Sequence, residues 1–283
     1  MLTRRAFAAL LPLLPLAARA GDNPEGLIAQ TEKAQGGRLG VAALDMGSGR
    51  RIGWRADERF PMCSTFKLIA VTALLARVDR GREKLARRIP YGEADLLEYA
   101  PITRAHVKDG GMALGDLCAA AIQWSDNTAA NLVLAQIGGP AGATAFARTL
   151  GDTVTRIDRN EPDANTCIPG DPRDTTSPNA MLDDLKALAF GRALLPDSRE
   201  KLVTLLANWQ TRLPRIAAGL PAGWKSAHKM GTGQHGTSND VAILWPPGRA
   251  PILVAAYYTG STAPSDKRDA VLADVGRIVS GTI

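Results

Sequence analysis

Four short stretches of this chain combine residue types suited to acyl-transfer chemistry. Ser64-Thr65-Phe66-Lys67 is an S-x-x-K. On a helix, positions i and i+3 share a face, so the hydroxyl and the amine can meet. A desolvated Lys beside a Ser can act as its base and make it a nucleophile. The spacing recurs at Ser198/Lys201 and Ser226/Lys229, so spacing alone does not single out Ser64. What does is the apolar run after it. At the mouth of a buried helix, free N–H groups and the dipole favour a developing oxyanion. The plainer reading is a helix N-cap Ser with a solvated Lys.

Ser125-Asp126-Asn127 lies at a break between two apolar helical runs. Any of the three can cap the following helix, or the set can bring a second hydroxyl and an amide near Ser64. In Lys229-Met230-Gly231 and Thr232-Gly233, small residues on an edge strand let a ligand approach the backbone. A buried Lys beside them attracts a carboxylate. Gly231–Gly236 also fits G-x-G-x-x-G, but a strand follows it and none is expected before it, which is the wrong context for a dinucleotide site. Arg159-Asn160-Glu161-Pro162-Asp163-Ala164-Asn165 places a carboxylate and an amide four residues apart, able to hold one water between them. Its alternative is an exposed polar loop.

The elements that must position these groups follow from periodicity. Arg38–Met46 alternates, Gly47-Ser48-Gly49 supplies a turn, and Arg51–Trp54 returns. From Ser64, the apolar residues Phe66, Leu68, Ile69, Val71, Leu74, Leu75 and Val78 cover most of a helix, as in a buried one. Further helices are predicted at Leu114–Trp124, Thr128–Ile137, Pro140–Leu150, Asn179–Phe190 and Pro196–Trp209. Asp158–Ser177 has no period, and a loop of that length in a compact domain is usually functional. Val241–Trp245 and Ile252–Tyr258 are near-continuous apolar strands, and Asp266–Val279 closes the chain as a helix. Strands, a block of helices, then strands and a helix indicate a helical domain inserted into an α/β one.

The 283 residues are enough for a large core, and the formal charge of +6 raises a nucleic-acid partner as a possibility. Half of that charge disappears on inspection. Met1–Ala20 holds Arg4 and Arg5, a short apolar run and Ala18-Arg19-Ala20, the pattern of a cleaved export signal. Its apolar part is too short for a membrane span, and Thr3-Arg4-Arg5-Ala6-Phe7 resembles a twin-arginine signal. Removing residues 1–20 takes away Arg4, Arg5 and Arg19 and no acid, so no nucleic-acid partner and no membrane anchor are expected. Cys63, Cys118 and Cys167 are odd in number and, with three His, form no zinc pattern. They read as buried structural thiols.

The order S-x-x-K, S-D-N, E-x-x-x-N, K-x-G resembles the class A serine β-lactamases. Tyr99-Ala100-Pro101-Ile102-Thr103, Ser125–Asn131, Ile168–Thr176, Leu220–Trp224 and Asn239-Asp240 extend the likeness over the mature chain. The resemblance implies a mixed α/β fold in which helices flank an antiparallel sheet and an all-α domain is inserted. Residues 21–60 with 213–283 would form the α/β domain, and 61–212, including the 158–177 loop, the helical one, with the site at their junction. It implies Ser64 as nucleophile, Lys67 and Glu161 as bases, Ser125 as proton relay and Lys229 as its electrostatic support. Ser64 and Thr232 N–H groups would make an oxyanion hole. Asn127, Asn165 and Tyr99 would meet the substrate, and Glu161 with Asn165 would hold the deacylating water. Arg159 and Asp174 would close the loop, whose Glu161–Pro162 bond would be cis, and Asp126 would support the site.

Three departures stand out. Met230 occupies a place usually held by Thr or Ser, and Thr232 can stand in for its hydroxyl. The Arg that many members carry on the following strand is absent, near Ser238; Arg215, upstream of Leu220-Pro221-Ala222, matches where another subset of the family places it, and the resemblance implies it as the carboxylate ligand. Cys63 precedes the nucleophile as in some carbapenem-hydrolysing members, but their partner cysteine is Gly233 here, and Cys118 likewise lacks a partner. The implied protein is a periplasmic, monomeric, metal-free and cofactor-free hydrolase of β-lactams that confers antibiotic resistance. Its rivals are a D,D-peptidase and a β-lactam-binding sensor.

Overall fold

A computed structural model describes residues 23–211 and 213–283; the proposed export signal at 1–20 lies outside the described residues. Helix α1 (Pro24–Gln35) begins at Asn23, whose side chain accepts from the N–H groups of Glu25 and Gly26. It leads into β1 (Arg38–Asp45) and β2 (Arg51–Trp54), joined by the expected turn, where Asp45 Oδ1 accepts from Gly47 N at 2.7 Å. After the short β3 (Phe60–Pro61), a single 3₁₀ turn at Cys63–Thr65 opens into α2 (Phe66–Asp79). Eleven of the fourteen α2 residues are buried, as its apolar circumference requires.

The helical block comprises the short ribbon of β4 (Arg88–Ile89) and β5 (Met112–Ala113) with α3 (Pro101–Ala105), α4 (Leu114–Gln123), α5 (Asn127–Gln136) and α6 (Gly139–Thr149). The long loop follows, with one 3₁₀ turn at Asp163–Asn165. It ends in β6 (Thr175–Thr176), which pairs with β3. Two more helices, α7 (Pro178–Ala189) and α8 (Pro196–Ala207), precede β7 (Lys225–Gly233), β8 (Thr237–Trp245), β9 (Ile252–Thr259) and the closing α9 (Ser265–Thr282).

Five strands form one sheet in the order β2-β1-β9-β8-β7, antiparallel throughout. Both faces are covered, which is why β8 and β9 are almost wholly buried. One apolar cluster joins Val41, Ile52, Val254 and Tyr258 to Ile28 of α1 and to Val271, Leu272 and Val275 of α9. The other joins Ala42, Val241, Ile243 and Tyr257 to α2, α4, α5, α7 and α8. The sheet is therefore the wall between a two-helix layer and the helical block.

One expectation is corrected. A strand does precede and include Gly231, because β7 starts at Lys225. Lys225, Ser226, His228 and Lys229 interrupt any apolar run, so no period marks this strand, although His228 and Lys229 are buried in it. β7 and β8 form a hairpin in which Gly231 pairs with Asn239 and Thr232 with Ser238, so the glycine pattern is still not followed by a helix.

Candidate active site

Ser64 lies in the 3₁₀ turn just before α2, and its side chain caps nothing, so the N-cap alternative falls. One turn on, Lys67 is fully buried. Its Nζ donates to Asn127 Oδ1 at 2.6 Å and to the Ser125 carbonyl at 2.8 Å, and it lies 3.0 Å from Glu161 Oε1. The Ser64 hydroxyl donates to that same Glu161 oxygen at 3.2 Å.

The S-D-N stretch divides its labour. Asp126 is the cap: wholly buried, it accepts from Ala129 N, Ile102 N, Thr103 N and the Thr103 hydroxyl, locking α3 to α5. Ser125 sits at φ +58°, a left-handed conformation that non-glycine residues adopt only when their surroundings hold them there. The sharp turn leaves Ser125 and Asn127 facing Lys67. Lys229 enters from β7 and donates to Ser125 Oγ at 3.0 Å and to the Met230 carbonyl at 2.9 Å.

Two buried amines thus face one carboxylate. Burial pulls the Lys67 amine below its usual range, and the neighbouring Glu161 partly opposes this. Burial, and then the charge of Lys67, hold Lys229 well below the ordinary lysine value.

Glu161 arrives on the loop. Its peptide bond to Pro162 is cis, and its backbone N–H and C=O are both held by the side-chain amide of Asn131, at 2.9 Å each. Asn165 Nδ2 donates to Glu161 Oε2. At the neck of the loop Arg159 Nε donates to Asp174 Oδ2 at 2.6 Å, and Asp174 Oδ1 accepts from the N–H groups of Asp158 and Arg159. Asp158 was not anticipated; it accepts from Asp174 N and pairs with Arg156.

Ser64, Tyr99, Ser125, Asn127, Asn165 and Thr232 help line a cavity of about 400 Å3. Gly231 makes the junction possible. A Cβ there would lie 2.8 Å from the Met62 carbonyl and 3.2 Å from Ser64 N, so only glycine lets β7 pass this close to the nucleophile turn. Arg215 is not at the cavity surface. It is buried, donating to Asp269, to the Gly231 and Asn239 carbonyls and to Thr232 Oγ1, each at 2.7 Å. Its charge reaches the cavity through Thr232.

Thr211, Leu213 and Met230 also line the cavity, with the Thr211 hydroxyl 3.7 Å from Met230 Sδ. Nothing in the sequence marked the first two, which precede β7 in an irregular segment. Asn131 was findable: it lies at i+4 from Asn127 on α5, on the same face. Among the described residues, no group of three His, Cys, Asp or Glu side chains is placed to hold a metal ion.

A serine, a lysine and a loop carboxylate within hydrogen-bond reach of one another form a nucleophile with its base. A profile described as the Beta-lactamase enzyme family matches residues 24–283. The chain belongs to this family. It is 46% identical to Beta-lactamase CTX-M-25 of Escherichia coli over 99% of this chain and 96% of that one. To Beta-lactamase CTX-M-8 of Citrobacter amalonaticus it is 45% identical, with the same coverage. Among solved structures, an ancestral class A β-lactamase superposes with a TM-score of 0.89 at 57% identity, covering 90% of this chain and 98% of its own. The class A β-lactamase PenP of Rhodopseudomonas palustris, titled putative, gives 0.90 at 54%, covering 92% and 99%. The chain is a class A serine β-lactamase, a hydrolase that opens β-lactam rings and so confers antibiotic resistance.

Proposed function

We propose that Ser64 Oγ attacks the lactam carbonyl carbon while its proton passes to Glu161 or Lys67. The contact that carries this reading is the shared oxygen: Glu161 Oε1 lies 3.2 Å from Ser64 Oγ and 3.0 Å from Lys67 Nζ. The backbone N–H groups of Ser64 and Thr232 stabilise the oxyanion. Ser125 returns a proton to the lactam nitrogen as the C–N bond breaks, and Lys229, 3.0 Å away, holds Ser125 in place and keeps the region positive. Deacylation uses a water between Glu161 and Asn165, whose amide oxygen has no partner among the described residues. Asn127 and Tyr99 contact the acyl side chain, and Thr232, backed by Arg215, takes the substrate carboxylate. The substrates are penicillin- and cephalosporin-type antibiotics.

A D,D-peptidase or a sensor would share the two serines and the lysine but would not need Glu161. A chromogenic cephalosporin separates the three. Sustained turnover supports the hydrolase, whereas a single stoichiometric burst overturns it.

The same reading treats residues 1–20 as an export signal cleaved before Gly21, giving a monomeric periplasmic protein. N-terminal sequencing and sedimentation of the exported protein test both statements. Among the described residues, no helix is long and apolar enough to cross a membrane. Residues 21–60 with 213–283, and 61–212, are proposed as the two domains. The lining supports a site at their junction, since Ser64 and Ser125 come from one span and Thr232 from the other.

A further inference from the structure

Cys63 and Cys167 are 104 positions apart in sequence, yet their sulfurs are 3.3 Å apart. We propose that this pair is an oxidisable cross-link that ties the turn carrying Ser64 to the loop carrying Glu161 and Asn165. Cys63 immediately precedes the nucleophile, and Cys167 Sγ also contacts the Asn165 carbonyl at 3.3 Å.

The fold makes room for the two sulfurs at Gly233. A Cβ on that residue would lie 2.5 Å from Cys167 Sγ and 2.6 Å from Cys63 Sγ, so the thiols fill the space any side chain there would take. Closing from 3.3 Å to a bond of about 2.05 Å requires only a small movement of each sulfur.

The two thiols are not equivalent. Cys63 is sealed, whereas Cys167, buried but 7% exposed, lines a second cavity of about 460 Å3 together with Arg159, Ile168 and His235. The hydrogen bond from Cys63 draws the Cys167 thiol below its ordinary value, helped by Thr237 and the Gln234 N–H, while the same bond and burial push Cys63 up.

These differences fix an order of events. The Cys167 thiolate attacks one sulfur of a disulfide oxidant, forming a mixed disulfide and releasing one oxidant thiolate. Cys63 passes its proton to that thiolate and attacks Cys167 Sγ, expelling the second thiolate, which takes up the proton lost from Cys167. Two protons and two electrons move to the oxidant, and Cys63 and Cys167 become bonded. Cys118, buried elsewhere, takes no part.

The test is alkylation under denaturing conditions with mass spectrometry, after exposing the folded protein to oxidised or reduced glutathione. The reduced protein should carry three alkyl groups, one for each cysteine. The oxidised protein should carry one, on Cys118, and be lighter by about 2 Da before labelling, with a Cys63 peptide joined to a Cys167 peptide. Tm should rise on oxidation by about 5 °C or more, a rise lost in Cys167→Ser and kept in Cys118→Ser. Three alkyl groups after oxidation, or a glutathione adduct that stays on Cys167, would overturn the proposal. The mass signature does not depend on the roles assigned to Ser64 or Glu161, so it stands or falls separately from them.

Discussion

Nη2 of Arg215 donates to Oγ1 of Thr232 at 2.7 Å, which puts the guanidinium behind the strand that borders the cavity instead of in it. The arginine orients the hydroxyl, and on the proposed function Thr232 is the residue that takes the substrate carboxylate. Thr232→Val should raise KM for a penicillin about tenfold, equivalent to about 1.4 kcal/mol. Arg215→Ala should raise it by at least as much and also lower Tm, because Asp269 is left buried without its ion partner. The double variant should be clearly less impaired in KM than the product of the singles. Simple multiplication would separate the two residues and sink this arrangement.

Glu161 touches both Ser64 and Asn165, so its loss should weigh most on the step that needs water. In Glu161→Ala, a β-lactam should still label the enzyme, and the adduct should persist in intact-mass spectra. General-base loss at this scale corresponds to a deacylation rate lower by about 10²–10⁴-fold. Lys67 then loses its buried counter-ion, so Glu161→Gln, which keeps the shape, is the companion variant. If the adduct turned over at the parental rate in both variants, Glu161 would not be the deacylation base.

The chemistry was more legible in the sequence than the wiring. Ser64, Lys67, Ser125, Asn127, Glu161 and Asn165 are legible because the order of their motifs resembles the class A β-lactamases, while the spacing of each motif alone singles out none of them. Arg215 lies one layer further from the cavity than the resemblance implies: a one-dimensional pattern marks a position but not whether carbonyls of Gly231 and Asn239 will occupy the guanidinium. β7 carries no apolar run before Gly231, because the buried His228 and Lys229 are polar side chains with partners of their own, whereas the apolar runs of β8 and β9 announce themselves. The Cys63–Cys167 contact lay beyond spacing arguments altogether, since it depends on how the loop folds back over the nucleophile turn.

Asp126 should be the most costly single polar residue to remove from the helical block. It accepts hydrogen bonds from two elements and is fully buried, so Asp126→Ala strands the N–H groups of Ile102, Thr103 and Ala129. Each unsatisfied buried donor costs about 1–3 kcal/mol, so a loss of about 3 kcal/mol or more is expected in denaturant unfolding. Activity should fall too, because the Ser125 turn is anchored by the same cap. A loss below about 1 kcal/mol would mean that water replaces the carboxylate and that the cap is dispensable.

Asp184 on α7 supplies a pH dependence remote from the catalytic groups. It is buried, and burial first, then the neighbouring charge of Asp152, pushes its carboxyl up to about 9. The folded chain therefore keeps this proton through neutral pH, while the unfolded chain releases it near the ordinary value of 3.8. Between those values the folded state binds more protons, so this group's contribution to stability falls as pH rises towards about 9. Asp184→Asn mimics the protonated form and removes the titration. Thermal melts from pH about 5 to about 9 should show Tm declining more steeply in the parent than in the variant. Parallel curves would mean that Asp184 is ionised in the folded protein, and that Arg148 accommodates its charge.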